Sequence, residues 1–253
     1  MAERWCLLKG WLSEAEQVAL VDLFGAAIEA PDADATAGRM VHLSVPVGRE
    51  LPASRYSALT DAARRAFAAA ASSLGSATEG NGSGGDGGGG GVGGGGGGGA
   101  ALEPADERLL ERLGSGGATP LTAAALAYSG GGSMLPHVDA SVARAPKWLT
   151  IFSLGLSCDF VLGSDGAPPT RLCSGDALVF DAASVIHGVR CVLPGSAPRC
   201  LVGTRAADTR VSVQLFAALA ERAPDEDDSA AGLGALMGGS SSDDDDDDDG
   251  ASQ

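Results

Sequence analysis

An α+β fold is predicted, with a double-stranded β-helix (jelly roll) of about eight antiparallel strands flanked by N-terminal helices. Three observations predict it. Two apolar stripes at helical spacing precede residue 75, and from Thr122 to Phe216 short β-branched and apolar runs alternate with Gly, Pro, Ser and Asp. Between these regions 16 of the 39 glycines fall from Gly80 to Gly99, so the length able to form a core is well below 253 residues and suits one domain.

The first helix begins at Ser13-Glu14-Ala15-Glu16, where Ser13 and Glu16 have capping-box spacing. Leu20, Phe24, Ala27 and Ile28 continue it as one apolar stripe up to Pro31. Met40 to Val47 alternates as a strand does, and Tyr56, Leu59, Ala63, Phe67 and Ala70 mark a second helix ending near Leu74, with Arg64 and Arg65 on its other side. Residues 75–101 are nearly pure glycine, too poor in side chains to offset the entropy of ordering them, and read as a flexible insertion. Loop closure grows slowly with length, so the domain tolerates it. A short helix from Asp106 to Leu113 follows. The expected strands are Ala124–Tyr128, Trp148–Leu156, Phe160–Leu162, Thr170–Cys173, Ala177–Phe180, Gly188–Leu193, Arg199–Thr204 and Arg210–Phe216. The organisation is thus an N-terminal support (1–74), the insertion (75–101), the jelly-roll core (102–222) and a disordered acidic tail (223–253).

Net charge is −16, but 11 of the 33 acidic residues follow Pro224, seven of them in the run Asp243 to Asp249. The body therefore lacks the dense basic footprint of a protein that wraps duplex phosphates, while the tail suits a basic partner. No run approaches the ~20 apolar residues of a membrane span, and no membrane association is expected. Cys6, Cys158, Cys173, Cys191 and Cys200 are odd in number and form no Cys-x-x-Cys pair. They read as reduced thiols of a cytoplasmic or nuclear protein, with an organellar address left open. Nothing in the chain fixes its oligomeric state.

Two of the three histidines have metal-site logic. In His137-Val138-Asp139 an imidazole and a carboxylate are two residues apart, which in an extended segment puts both on one face. His187 follows Asp139 by 48 residues and can bring a third ligand from across a barrel. Two His and one carboxylate form the facial triad of non-haem Fe(II) oxygenases. His42 has no neighbour at ligand spacing and reads as a structural histidine.

The segment Tyr128-Ser129-Gly130-Gly131-Gly132-Ser133-Met134-Leu135-Pro136-His137-Val138-Asp139 resembles the Tyr-x-x-Gly-x-x-Leu-x-x-His-x-Asp stretch of the AlkB-like 2-oxoglutarate and Fe(II)-dependent dioxygenases. Ser153-Leu154-Gly155-Leu156, Phe160, Gly163, Arg171-Leu172, Gly175 to Phe180, His187-Gly188-Val189 and Arg210-Val211-Ser212 continue the likeness in order. A weaker likeness lies at Leu7 to Leu12, where such proteins enter their first helix.

The resemblance implies Fe(II) held by His137, Asp139 and His187, and 2-oxoglutarate as cosubstrate with dioxygen. Arg210, Ser212 and the Tyr128 hydroxyl would clamp the far carboxylate, for which a buried bidentate Arg is suited. It also implies hydroxylation of a C–H bond, and on an N-methylated base, release of formaldehyde. Two family positions that hold the near carboxylate, an Asn and a second Arg, are Leu126 and Phe216 here. Arg205 is close enough in sequence to substitute for one lost cation, although a loop arginine is more often simply solvated. Asp32 to Pro52 offers no aromatic residue to stack a flipped base. Methylated nucleic acid ranks first as substrate, protein side chains second. A non-catalytic scaffold recruiting partners through the acidic tail is the third reading, and the departures at Leu126 and Phe216 are its motive.

Overall fold

Strand β1 (Trp5–Leu8) opens the structure, a computed structural model that describes residues 4–24, 40–43, 53–75, 102–115, 121–139, 148–164 and 166–217. The chain divides into two compact units, residues 1–221 and 222–253, and every described residue belongs to the first. The insertion beyond Gly75, the acidic tail, and the expected continuations of the first helix past Phe24 and of the first strand past Leu43 lie outside the described residues.

Helix α1 (Glu14–Phe24) starts on the expected capping box: the Ser13 N–H donates to Glu16 Oε2 at 2.8 Å and the Glu16 N–H to Ser13 Oγ at 3.3 Å. These bonds from Ser13 hold the Glu16 carboxyl below its usual range. Strand β2 (Met40–Leu43) follows, then helix α2 (Ala53–Gly75), whose buried stripe is Tyr56, Leu59, Ala62, Ala63, Ala66, Phe67 and Ala70. Helix α3 (Pro104–Gly114) begins on a proline, whose missing N–H is harmless in a first turn, and buries Leu110 and Leu113. Among the described residues no helix is long and apolar enough to cross a membrane.

Seven more expected or unexpected strands complete two antiparallel sheets: β3 (Leu121–Ser129), β4 (Met134–His137), β5 (Trp148–Gly155), β6 (Cys158–Gly163), β7 (Thr170–Leu172), β8 (Ala177–Asp181) and β9 (Ile186–Val192), closed by an eighth, β10 (Thr209–Ala217). The major sheet runs β1-β8-β5-β10-β3-β2 and the minor sheet β4-β9-β6-β7. Successive side chains of a strand point to opposite faces, and the major sheet uses both. Ala123, Ala125, Ala127, Phe152, Leu154, Ala177, Val179, Val211, Val213 and Leu215 pack with the helices. Their neighbours Leu126, Tyr128, Leu149, Ile151, Leu178, Phe180 and Phe216 turn inward and meet Cys158, Phe160, Leu162, Val189 and Val192 of the minor sheet. The alanines on the outer face and the alanine-rich stripe of α2 let helix and sheet approach closely. The inner layer between the sheets is the jelly-roll interior.

One expected strand is corrected, and two strands are additional. Trp5–Leu8, where no strand was expected, is an edge strand paired with β8, and the chain then leads through Leu12 into α1. Arg199–Thr204 is not a strand: Arg199–Leu201 forms a 3-10 turn after Pro198, and Gly203 follows at φ +86°. Its apolar run arises from a single buried side chain, Leu201, rather than from alternation. β4 was foreseen only as an extended segment, because four residues containing Pro136 carry little periodicity.

Candidate metal centre

The minor sheet assembles the three ligand candidates. His137, the last residue of β4, stands directly opposite His187 of β9 in the ladder, with ring centroids 4.3 Å apart. His187 therefore arrives from the adjacent strand of the same sheet, a correction to its expected place across the barrel. Asp139 lies beyond the end of β4 and its N–H donates to the Ala182 carbonyl at 2.9 Å, which swings the carboxylate back towards both rings. Asp139 Oδ1 is 3.4 Å from His137 Nε2 and 3.8 Å from His187 Nε2. One donor atom from each residue lies within 4.8 Å of the others.

β4 approaches β9 this closely because residue 188 is glycine. A Cβ there would stand 2.8 Å from the Met134 carbonyl oxygen and 3.0 Å from Pro136 Cα, both backbone atoms. Any larger residue would push the His137 strand away.

Whether these residues fit a metal ion is decided by their protons. His137 Nδ1 lies 2.9 Å from the Leu135 carbonyl and His187 Nδ1 3.0 Å from that of Val185. A carbonyl only accepts, so each Nδ1 carries hydrogen and each Nε2 presents a lone pair to the common point. In the neutral form of both rings, two lone pairs and a carboxylate converge on one point, a donor set that a cation satisfies. Ligand bonds of about 2.0–2.2 Å spread the donors of one ion by roughly 3–4 Å, close to the separations found. Burial pushes His187 below the usual imidazole range, favouring the neutral, ligating form. The hydrogen bond to Asp139 raises His137, and a metal at that point replaces the proton. The residues fit.

Facing them from the major sheet is Arg210, fully buried. In the β3–β10–β5 ladder it is paired with Tyr128 on one side and Gly155 on the other. Nη1 donates to Ser153 Oγ at 2.5 Å, while Nε and Nη2 have no partner among the described residues. A buried guanidinium with two idle donors is unfavourable by itself and is suited to a carboxylate that would take both. Burial pushes the Tyr128 phenol up to about 12 against the pull of Arg210, so it stays a neutral donor; its hydroxyl has only the Met134 sulfur, at 3.8 Å. Ser212 is buried and one inward position along from Arg210, level with Ser153 in the ladder. Leu126 and Phe216 are inward and buried in the apolar layer, so they add wall and no polar contact. Arg205 is exposed on a 3-10 turn (Arg205–Ala207) outside that layer, and does not stand in for the missing cation. His42 pairs with Leu126 in β2. Ser153 was not assigned a role from sequence, although its parity with Ile151 in β5 places it inward.

Residues 99–215 match the 2OG-Fe(II) oxygenase superfamily. Among curated proteins no sequence match is found. The solved structure of OsALKBH1 superposes with a TM-score of 0.54 at 16% identity, covering 85% of this chain and 99% of that one. A prolyl-4-hydroxylase from Pseudomonas putida gives a TM-score of 0.44 at 12% identity over 87% of this chain and 94% of that one. An oxidoreductase of the 2OG-Fe(II) oxygenase family from Burkholderia pseudomallei gives 0.42 at 14% identity over 85% and 84%. At 16% identity the likeness to OsALKBH1 is one of fold. The superfamily match spans α3 and β3 to β10 and encloses His137, Asp139, His187 and Arg210. Residues 99–215 are thus similar to a 2OG-Fe(II) oxygenase domain, and by class the protein is a 2-oxoglutarate-dependent dioxygenase using Fe(II), 2-oxoglutarate and dioxygen.

Proposed function

We propose that this dioxygenase is AlkB-like and hydroxylates methyl C–H bonds on N-methylated nucleic-acid bases. The observation that carries the reading is the meeting of His137, Asp139 and His187 on one sheet, opposite the buried Arg210 with two idle donors on the other. When bound, Fe(II) with 2-oxoglutarate and dioxygen supplies the oxidation of the C–H bond. The protein supplies placement. Both imidazoles offer Nε2 because backbone carbonyls fix their Nδ1 protons. Arg210, with Tyr128 and Ser212, takes the far carboxylate of the cosubstrate. Leu126, Ile151, Phe180 and Phe216 keep the space between the sheets apolar, which strengthens the ionic contact of that carboxylate. A methyl carbon that gains a hydroxyl next to nitrogen leaves as formaldehyde, and the nitrogen recovers its hydrogen.

The base-demethylating assignment is supported by the ordered AlkB-like motifs from Tyr128 to Ser212 and by the fold shared with OsALKBH1, whose name carries AlkB. A second reading, hydroxylation of a protein side chain, is favoured by one observation: the lip beside His137 is Leu135, 85% exposed, next to an exposed Pro136, with no cation in β4 to meet a phosphate.

The enzyme with Fe(II) and 2-oxoglutarate is expected to release formaldehyde from N-methylated oligonucleotides in step with succinate. Mass gain of 16 Da (about one oxygen atom) on peptides without formaldehyde from oligonucleotides would favour the second reading.

A further inference from the structure

We propose that Asp181, held by Arg4, is a positioning residue for the metal ligands, acting through the turn that joins β8 to β9. The inference rests on the metal-centre reading above. Two carbonyls of that turn reach the ligands: Ala182 accepts the Asp139 N–H at 2.9 Å and Val185 lies 3.0 Å from His187 Nδ1. The first fixes where the carboxylate stands. The second fixes the tautomer and the plane of the ring.

The shape of the turn is set by Asp181, whose side chain is 1% exposed. Oδ1 accepts from the Ala183 N–H at 3.2 Å and Oδ2 from the Ser184 hydroxyl at 2.7 Å. Its carbonyl accepts from the N–H groups of Ser184 at 3.1 Å and Val185 at 2.9 Å. One residue thus bonds three successive members of a four-residue connection. A buried carboxylate needs a counter-charge, and Arg4 provides it: Nε is 2.8 Å from Asp181 Oδ2, while the Arg4 carbonyl accepts the Asp181 N–H at 3.0 Å. Arg4 also pairs with Asp106 of α3 and lies over the Trp148 ring at 5.8 Å. The Asp106 branch ties α3 to the N-terminus and touches neither ligand-bearing carbonyl, so the two acidic partners of one arginine have separable duties. Asp181 holds the ligands and Asp106 holds a helix.

The test is Co(II) binding to the full chain, read from the visible d–d absorption, beside a thermal melt of each variant. Asp181→Asn is expected to weaken Co(II) about tenfold or more, the range of lost outer-shell support, and to alter the d–d band. Asp106→Asn is expected to lower the melting temperature and leave Co(II) affinity within about twofold. Should Asp181→Asn not fold, Ser184→Ala replaces it, because that change removes one bond of the turn and leaves the ion pair; at least a threefold loss (about the low end of outer-shell effects) is expected. Unchanged Co(II) affinity and spectrum in the folded Asp181 or Ser184 variant, or an equal loss in Asp106→Asn, would overturn the assignment while leaving the metal centre intact. A parent protein that binds no Co(II) would remove the metal-centre reading, and this inference with it.

Discussion

His187→Ala yields a folded protein that has lost metal affinity by at least about 100-fold and releases no succinate above background. The size of the effect follows from the geometry. His187 is 3% exposed, its Nδ1 proton is committed to Val185, and its Nε2 is one of three converging donors among the described residues. Removing it leaves His137 and Asp139, and a two-point site on a half-exposed edge gives up the chelate effect and most of the exclusion of water. The cost to the fold is small by comparison. The ring contributes contacts to the Phe180 and His137 rings at 4.8 and 4.3 Å and one hydrogen bond, and truncating it leaves a small cavity, together about 2–3 kcal/mol. Metal titration beside a thermal melt separates the two: a variant that melts near the parent and still binds Co(II) within threefold of it would show that His187 is not a ligand.

Arg210→Met raises the Michaelis constant for 2-oxoglutarate by about 100-fold while leaving metal affinity unchanged. A buried hydrogen-bonded charge pair that loses one member costs roughly 2–5 kcal/mol, and 1.4 kcal/mol is about a factor of ten. The metal is unaffected because its ligands are on the minor sheet and Arg210 is on the major one. Stability without cosubstrate moves the other way. Arg210 is 0% exposed, with Nε and Nη2 unbonded, so an apolar side chain of similar length relieves a desolvated charge. The metal-free, cosubstrate-free variant is expected to melt at or above the parent temperature. An unchanged Michaelis constant would place the carboxylate elsewhere.

What the sequence revealed and what it hid have physical causes. The α1 capping box, the α2 stripe and the long strands were legible because each is a local period: 3.6 residues on a helix, two on a strand. The spacing of Arg210 from His187 fits a surface arginine as well as a buried one, and only the fold shows it buried with two nitrogens lacking a partner among the described residues. β1 was not legible, because Trp5-Cys6-Leu7-Leu8 is a continuous apolar run of four residues with no alternation. Arg199–Thr204 misled for the same reason: four residues of apolar and β-branched character need an alternating burial to be a strand, and only Leu201 is inward. The partnership of Arg4 and Asp181 spans 177 residues and has no local signature at all. Only tertiary structure brings it to the turn that carries the ligand-fixing carbonyls.

Leu126 and Phe216 also take on a clearer meaning in the fold. Both belong to the inner apolar layer, so a hydrophobic wall stands where the resemblance implied two further polar supports. On the proposed function the near end of the cosubstrate depends on the metal, and 2-oxoglutarate is expected to bind more weakly to the metal-free protein, which titration with and without Co(II) checks.

An anomalous difference map from crystals grown anaerobically with Fe(II), recorded at the iron edge, tests the central claim most directly. A single peak bonded to His137 Nε2, His187 Nε2 and an Asp139 carboxylate oxygen is the expected result. A peak bonded to other side chains, or these three residues turned apart with no peak between them in iron-replete protein, would contradict it.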